Sequence, residues 1–293
     1  MGAKSHIQEP ERVAAAGGIG WGLRLASMLR LARRDLLAAL VSPTLYLMVT
    51  LSCLVAAVVV KSYLDYVNDN GTLVLASPLK APLVFAVLAL TAYLGLLAAA
   101  GLAGERERGT LEVLFYGPVD APTFVGGKLL GALFVYILAI ASLAVFLALA
   151  SLLSGMPLDA GTLVILAASI LPAASMVALG LLLAALVGRV RPALALTLLA
   201  ILLFFAIDAG NGFAATQPGD SLLGSAAGLL SALAGFVSWL SPFGYIWRAM
   251  DGLSLGDAAA VALDLGVALL YAAVLTALAV AALRAKGVQR WRE

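Results

Sequence analysis

Histidine and cysteine are almost absent from this sequence, which contains one of each, His6 and Cys53, in 293 residues. A single cysteine cannot form an intrachain disulfide, and a zinc site needs several Cys or His ligands. The sequence also lacks an H-E-x-x-H metalloprotease motif. We therefore predict neither catalytic residues nor metal ligands in this chain.

Charged residues are scarce as well. Asp, Glu, Lys and Arg make up 12% of the chain, whereas 63% of its residues are hydrophobic. A soluble domain has roughly twice that charged fraction and about half of its residues apolar. The net charge is only +2, and the basic residues flank hydrophobic runs. This pattern predicts contact with membrane lipid and argues against a nucleic-acid partner.

The hydrophobic residues are grouped in runs long enough to cross a membrane. A helix needs about 20 largely uncharged residues to span the hydrocarbon core, and the apolar–polar alternation of a membrane β-barrel does not occur here. We predict an all-α integral membrane fold, a six-helix transmembrane bundle within a domain of residues 21–293. The predicted spans are approximately 43–60, 81–103, 129–153, 161–187, 193–210 and 258–283.

The placement of lysine and arginine predicts how the bundle is oriented. Most basic residues flank one side of the predicted spans, and the other side has only Lys61, Lys80 and Arg248. Since positively charged loops stay in the cytoplasm, both termini are predicted to be cytoplasmic. The expected location is the plasma membrane or bacterial inner membrane, with multiple spans.

The region before the first span has two parts. Residues 1–20 show no periodicity and are predicted to form a disordered tail, whereas residues 21–40 predict a basic amphipathic helix in the cytoplasmic interface. Its polar face, with Ser27, Arg30, Arg33 and Arg34, lies opposite an apolar face made of Trp21, Leu25, Met28, Leu29, Ala32, Leu36 and Ala39. This interfacial helix could be a simple membrane anchor or a lever joined to the first span.

Residues 211–256 allow two topologies. They contain a hydrophobic but Gly-, Ser- and Ala-rich run, 221–240, that is long enough to span. A full span there would move the basic segment 284–292 to the outside, against the orientation rule. We therefore favour a re-entrant or interfacial region on the outer side.

The segment between the second and third predicted spans carries the most specific signal. Residues 104–114 read G-E-R-E-R-G-T-L-E-V-L, with charges of both signs followed by leucines at helical spacing. A short amphipathic helix outside the membrane could bury its apolar face in a partner protein, with the charges fixing its register. It could equally lie flat on the membrane or pack under its own bundle.

This segment resembles the signature of ABC type-2 permeases. The resemblance rests on residues 104–114, on Pro118 and on Gly127-Lys128-Leu129, which enters the third span. It implies a transmembrane subunit of an ATP-driven exporter whose 104–117 loop carries a cytoplasmic coupling helix for the ATPase subunit. The implied contact residues are Glu105, Arg106, Glu107, Arg108, Gly109, Thr110, Leu111, Glu112, Leu114 and Phe115.

The resemblance also implies the partners. A separate ABC ATPase subunit would bind ATP and Mg²⁺, because this sequence has no G-x-x-x-x-G-K-[ST] phosphate-binding loop and therefore holds no cofactor itself. A second permease, either another copy or a sister chain, would complete the translocation path. The transported substrate is not predicted.

Two rival functions are weighed against the exporter. An ion-coupled secondary transporter usually places ionisable residues in the middle of the membrane, and the first four predicted spans have none between their ends. A non-transporting membrane anchor or signalling subunit would need no path between protomers, which the sequence does not test.

Overall fold

The computed structural model describes residues 21–70, 79–111, 119–215 and 222–289. Ten helices lie within these residues. In chain order they are α1 Trp21–Val41, α2 Pro43–Asn70, α3 Lys80–Glu107, α4 Ala121–Ser154, α5 Ala160–Ala168, α6 Ile170–Val187, α7 Val190–Ala215, α8 Leu222–Leu240, α9 Pro242–Ser254 and α10 Ala258–Gln289. The described residues contain no strand, which confirms the predicted all-α fold.

Six helical segments are long and apolar enough to cross a membrane. They are Pro43–Asp69, Lys80–Glu107, Ala121–Ser154, Ala160–Val187, Val190–Ile207 and Ala258–Ala285. The predicted membrane bundle of six helices is therefore confirmed. Helix α2 continues through Asn70, beyond the end at residue 60 that the hydrophobic run predicts.

The fourth span is interrupted at Ser169, where α5 ends and α6 begins. Pro172 has no backbone N–H to donate to the carbonyl of Ala168, so the regular helical ladder cannot continue through this turn. The hydroxyl of Tyr136 on α4 donates to Ser169 Oγ over 2.8 Å. Ser169 Oγ in turn donates to the carbonyl of Leu166 over 2.6 Å, which anchors the interruption inside the bundle.

Helix α6 is the centre of the bundle and packs against α3 on one side and α10 on another. Its contact with α3 is close because Gly95 and Gly180 face each other there. Its contact with α10 includes a hydrogen bond of 2.9 Å from Ser175 Oγ to the carbonyl of Ala268. Small residues and interhelical hydrogen bonds are the usual means of packing helices in lipid.

The amphipathic helix α1 packs along α4. Leu31 and Ala32 are its buried residues, and the side chains of Met28 and Leu31 lie over Gly126 and Gly127 of α4. Only part of the predicted apolar face therefore contacts protein. Trp21, Leu25 and Leu29 remain exposed, as expected for residues that face lipid at an interface.

The region before the last span forms two helices, α8 and α9. Helix α9 packs against α8, α10 and α6, with Phe243, Tyr245 and Ile246 buried. A hydroxyl cap begins α9, since Ser241 Oγ accepts from the backbone N–H of Phe243 over 3.3 Å. The placement of residues 211–256 as a re-entrant or interfacial region on the outer side, rather than as a full span, stays a prediction.

Candidate functional site: the charged end of the bundle

The candidate site lies at the end of the bundle where α3 and α6 end and where α4 and α7 begin. We call this the basic end of the bundle. Helix α3 ends at Glu107, and Gly109 has a φ of +73°, a left-handed conformation that glycine adopts readily. The N–H of Gly109 donates to the carbonyl of Arg106 over 3.1 Å. This turn directs the chain away from the α3 axis immediately after its charged residues.

A network of four charged side chains joins α3 to α1 and α4. Lys128 Nζ lies 2.7 Å from Glu105 Oε1 and 2.8 Å from Asp35 Oδ2. Arg34 Nη2 lies 2.5 Å from Glu105 Oε1 and 3.1 Å from Asp35 Oδ1. The Lys128 side chain is only 10% exposed, so loss of either carboxylate would leave a largely buried cation undercompensated.

Arg106 joins α3 to the end of α6. Its Nη1 donates to the carbonyl of Ala185 over 2.9 Å, and its guanidinium covers Gly188, where a Cβ would lie 2.9 Å from it. Gly188 has a φ of +78° and its N–H donates to the carbonyl of Ala184, the arrangement of a helix that ends on glycine. The cation thus lies at the negative end of the α6 dipole.

Glu107 joins α3 to the start of α7. Its Oε2 accepts a hydrogen bond of 3.1 Å from the backbone N–H of Val190. A carboxylate at a helix N-terminus satisfies an otherwise unpaired N–H and complements the positive end of the dipole. Consecutive residues of opposite charge, Arg106 and Glu107, therefore hold the two sides of the short turn between α6 and α7.

The residues that follow divide into exposed and buried side chains. Arg108 and Thr110 are exposed, and the Thr110 hydroxyl donates to the carbonyl of Glu105 over 2.9 Å. Leu111 is 7% exposed and belongs to the hydrophobic core of the bundle. Its side chain packs under its own bundle, which was one of the alternatives that the sequence left open.

The remaining predicted contact residues, Glu112, Leu114 and Phe115, lie outside the described residues. The described chain resumes before α4, where Asp120 accepts from the backbone N–H of Thr123 over 3.1 Å and caps the helix. Arg24 Nη2 of α1 lies 3.1 Å from Asp120 Oδ2. Although burial opposes the shift, the hydrogen bonds from Thr123 and the Arg24 charge hold the pKa of Asp120 below its ordinary value.

Lys128 was part of the family signature in the sequence, whereas Arg34 and Asp35 were missed as members of this network. Arg34 and Glu105 are 71 positions apart, and no local pattern pairs them. Within the described ranges, no group of three His, Cys, Asp or Glu side chains could hold a metal ion. The contacts that the structure shows at this site are ion pairs and helix caps, which fix helices relative to one another.

Comparison with known proteins gives one family match. A family model described as "ABC-2 family transporter protein" matches residues 31–288. No curated protein matches the chain. The matched residues include α2 to α10 almost completely and the whole of the charged network around Lys128.

Proposed function

Since the chain belongs to the ABC-2 transporter family and is thus a permease subunit of an ABC transporter, we propose that it exports its substrate by coupling to a separate ATPase. The coupling contact is the connection between α3 and α4, residues 104–117. The proposed ATPase-binding surface consists of the exposed Arg108 and of two apolar residues that the sequence predicts as contacts, Leu114 and Phe115. Leu111 supports this surface from inside the core rather than contacting the partner.

The observation that carries the proposal is the set of links at the base of this connection. Glu105 binds α1 and α4 through Arg34 and Lys128, Arg106 binds the end of α6, and Glu107 binds the start of α7. A force applied at residue 110 therefore acts on four other helices, α1, α4, α6 and α7, through three consecutive residues of α3. Ion-pair networks between rigid helices are one means by which energetic coupling is carried between two sites.

The proposed orientation places the basic end in the cytoplasm, together with both termini. The exposed arginines of α1 and of the α6–α7 turn lie at this end, in agreement with the positive-inside rule. The ATPase, which binds ATP and Mg²⁺, is a cytoplasmic chain that contacts this end. The permease lies in the cell membrane, and a second copy or a sister permease completes the translocation path.

The proposal is tested by ATP hydrolysis that co-purifies with the tagged chain from its native membranes in mild detergent. We expect the wild-type chain to retain this activity. The double substitution Leu114→Ser and Phe115→Ser should lower the retained activity at least about tenfold, because each buried apolar side chain contributes about 1.5–3 kcal/mol to such a contact. This test is preferable to deletion of residues 111–115, which would remove Leu111 from the core.

The matched control is Leu152→Ser with Leu153→Ser. These leucines lie near the end of α4 away from the basic end and are 80% and 88% exposed, so the double substitution should leave the co-purified ATPase activity unchanged. Wild-type chain that carries no ATPase activity, or equal activity in both double variants, would contradict the coupling role of the 104–117 segment.

A further inference from the structure

Helix α1 holds both ends of the segment that joins α3 to α4. At the end that follows α3, Arg34 Nη2 lies 2.5 Å from Glu105 Oε1. At the end that precedes α4, Arg24 Nη2 lies 3.1 Å from Asp120 Oδ2. Since a helix rises 1.5 Å per residue, the two arginines lie about 15 Å apart along the axis of α1. The chain therefore leaves α3 and enters α4 at two separate points on the same helix.

Helix α1 is itself fixed to the start of α4. A Cβ at Gly131 of α4 would lie only 3.3 Å from the Cα of Ala32, so the two backbones approach closely. Lys128, less than one turn before Gly131, binds Asp35 of α1 over 2.8 Å. Helix α1 packs mainly on α4 and much less on α2, the next helix in the chain. It is therefore joined to the start of α4 rather than to the first span.

Arg24 has contacts on two sides. Its guanidinium lies 5.7 Å from the ring centroid of Trp21, a cation–π contact, and it faces the Asp120 carboxylate, which also accepts from the backbone N–H of Thr123. The Arg24 and Asp120 side chains are 29% and 26% exposed, so solvent screens their pair only in part. The described ion pairs of Lys128 do not involve Arg24, and replacing Arg24 leaves that buried cation compensated.

We propose that Arg24 is a positioning residue of the coupling contact, an inference that rests on the proposed function of residues 104–117. Through Asp120, Arg24 fixes the chain where it returns from this segment into α4, while Arg34 fixes the chain where it leaves α3. A segment that is held at both ends loses less conformational freedom when the ATPase binds. Without Arg24 only a fraction of the molecules has the binding arrangement, and the apparent affinity for the ATPase falls by that fraction.

The ion pair is tested with Arg24→Gln and with Asp120→Asn, since asparagine keeps the helix cap but removes the charge. We expect each variant to lower the ATPase activity that co-purifies with the tagged chain about two- to fivefold, the range for a partly exposed ion pair. The double variant should lose no more than either single variant, because both remove the same contact. Arg24→Lys, which keeps the charge, should restore most of the activity.

The matched control is Arg30→Gln. Arg30 is an exposed arginine of the same helix, and it belongs to no ion pair of the described residues. This variant should retain the wild-type level of co-purified ATPase activity. Equal losses in Arg24→Gln and Arg30→Gln would show a general effect of positive charge on α1 and overturn the positioning role of Arg24. Additive losses in the double variant of Arg24 and Asp120 would overturn it as well.

A reversible cross-link separates position from charge. In a Cys53→Ala background, Arg24→Cys with Asp120→Cys should react in isolated membranes with a short bis-methanethiosulfonate reagent, because the two native side chains are in contact. The cross-link should raise the low co-purified ATPase activity of this variant toward the wild-type level, and its reduction by dithiothreitol should lower the activity again. Arg24→Cys alone, treated in the same way, should show no such rise.

The cross-link also distinguishes failure of this proposal from failure of the coupling function. A cross-link that does not form, or one that forms and leaves the activity low, would overturn the positioning role. Efficient cross-linking together with a wild-type chain that carries no ATPase activity would confirm the contact between α1 and the start of α4. It would refute the coupling function, and the positioning role of Arg24 would be refuted with it.

Discussion

Two glycines determine how closely α3 and α6 approach each other. A Cβ at Gly180 would lie 2.2 Å from the backbone carbonyl oxygen of Gly95, a distance that no rotation of a side chain could relieve. Because Gly180 lies in the central helix, the helices could accommodate a methyl group there only by moving apart. Such close backbone contacts provide dispersion energy that hydrophobic burial does not supply in lipid.

We therefore expect Gly180→Ala to lower the free energy of unfolding by about 1–3 kcal/mol, the range typical of overpacked cores. The measurement is reversible unfolding in mixed detergent micelles, followed by tryptophan fluorescence. Gly266→Ala is the control, since no atom lies within 4 Å of a Cβ built at Gly266 in α10. Alanine there should be neutral or up to about 1 kcal/mol stabilising, because it favours the helix. Equal stability of the two variants would refute the close contact.

At the scale of helices, Arg248 holds three elements together at the end of the bundle away from the basic end. Its Nε lies 3.1 Å from Asp264 Oδ1 on α10, and its Nη1 donates to the carbonyl of Ser238 on α8 over 2.8 Å. The guanidinium also lies 4.2 Å from the ring centroid of Trp239, a cation–π contact. Arg248 itself belongs to α9, so one side chain fixes α9 between α8 and α10.

This arrangement predicts a coupled effect on stability. Removing one member of a buried ion pair costs about 3–5 kcal/mol, and since Arg248 is still 23% exposed we expect about 2 kcal/mol for Arg248→Met. Asp264→Asn should also lower the free energy of unfolding. The loss in the double variant should be smaller than the sum of the losses in the two single variants. Unfolding free energies in a double-mutant cycle test this. Additive losses would mean that the two residues act independently.

At the scale of the whole molecule, the bundle has two chemically different ends. The basic end has exposed arginines on α1 and on the α6–α7 turn. The α9–α10 connection, with its exposed Leu255, lies at the other end. The proposed function requires the basic end to face the cytoplasm, since the ATPase is there. The sidedness of the bundle therefore decides whether the coupling proposal is possible.

Sidedness is measurable because the only native cysteine, Cys53, can be replaced by alanine. In that background we expect Leu255→Cys to react with a membrane-impermeant maleimide on intact cells. Arg33→Cys should react only after the cells are lysed, because it lies at the basic end. Labelling of the Arg33→Cys variant on intact cells would show the opposite orientation and rule out a cytoplasmic ATPase contact at residues 104–117.

The sequence alone was sufficient for the membrane fold, the number of spans and the position of the charged segment after the second span. These properties depend on short stretches of chain: a run of about 20 apolar residues is enough to define a span. The break at Ser169 in the fourth span was not predicted, although Pro172 was a local signal for it. The extension of α2 to Asn70 was missed because the predicted span ended with the hydrophobic run at residue 60, whereas the helix continues past that run.

The sequence by itself determined where the charged residues 105–108 lie, but only the tertiary structure decided what they bind. Lys128 lies between Asp35 and Glu105, and Arg106 and Glu107 reach opposite sides of the α6–α7 turn. Each of these contacts joins residues from different helices, and none leaves a periodic pattern in the chain. The reason is physical: spans are specified by local hydrophobicity, whereas charge pairing follows from which helix ends the packing of the bundle brings together.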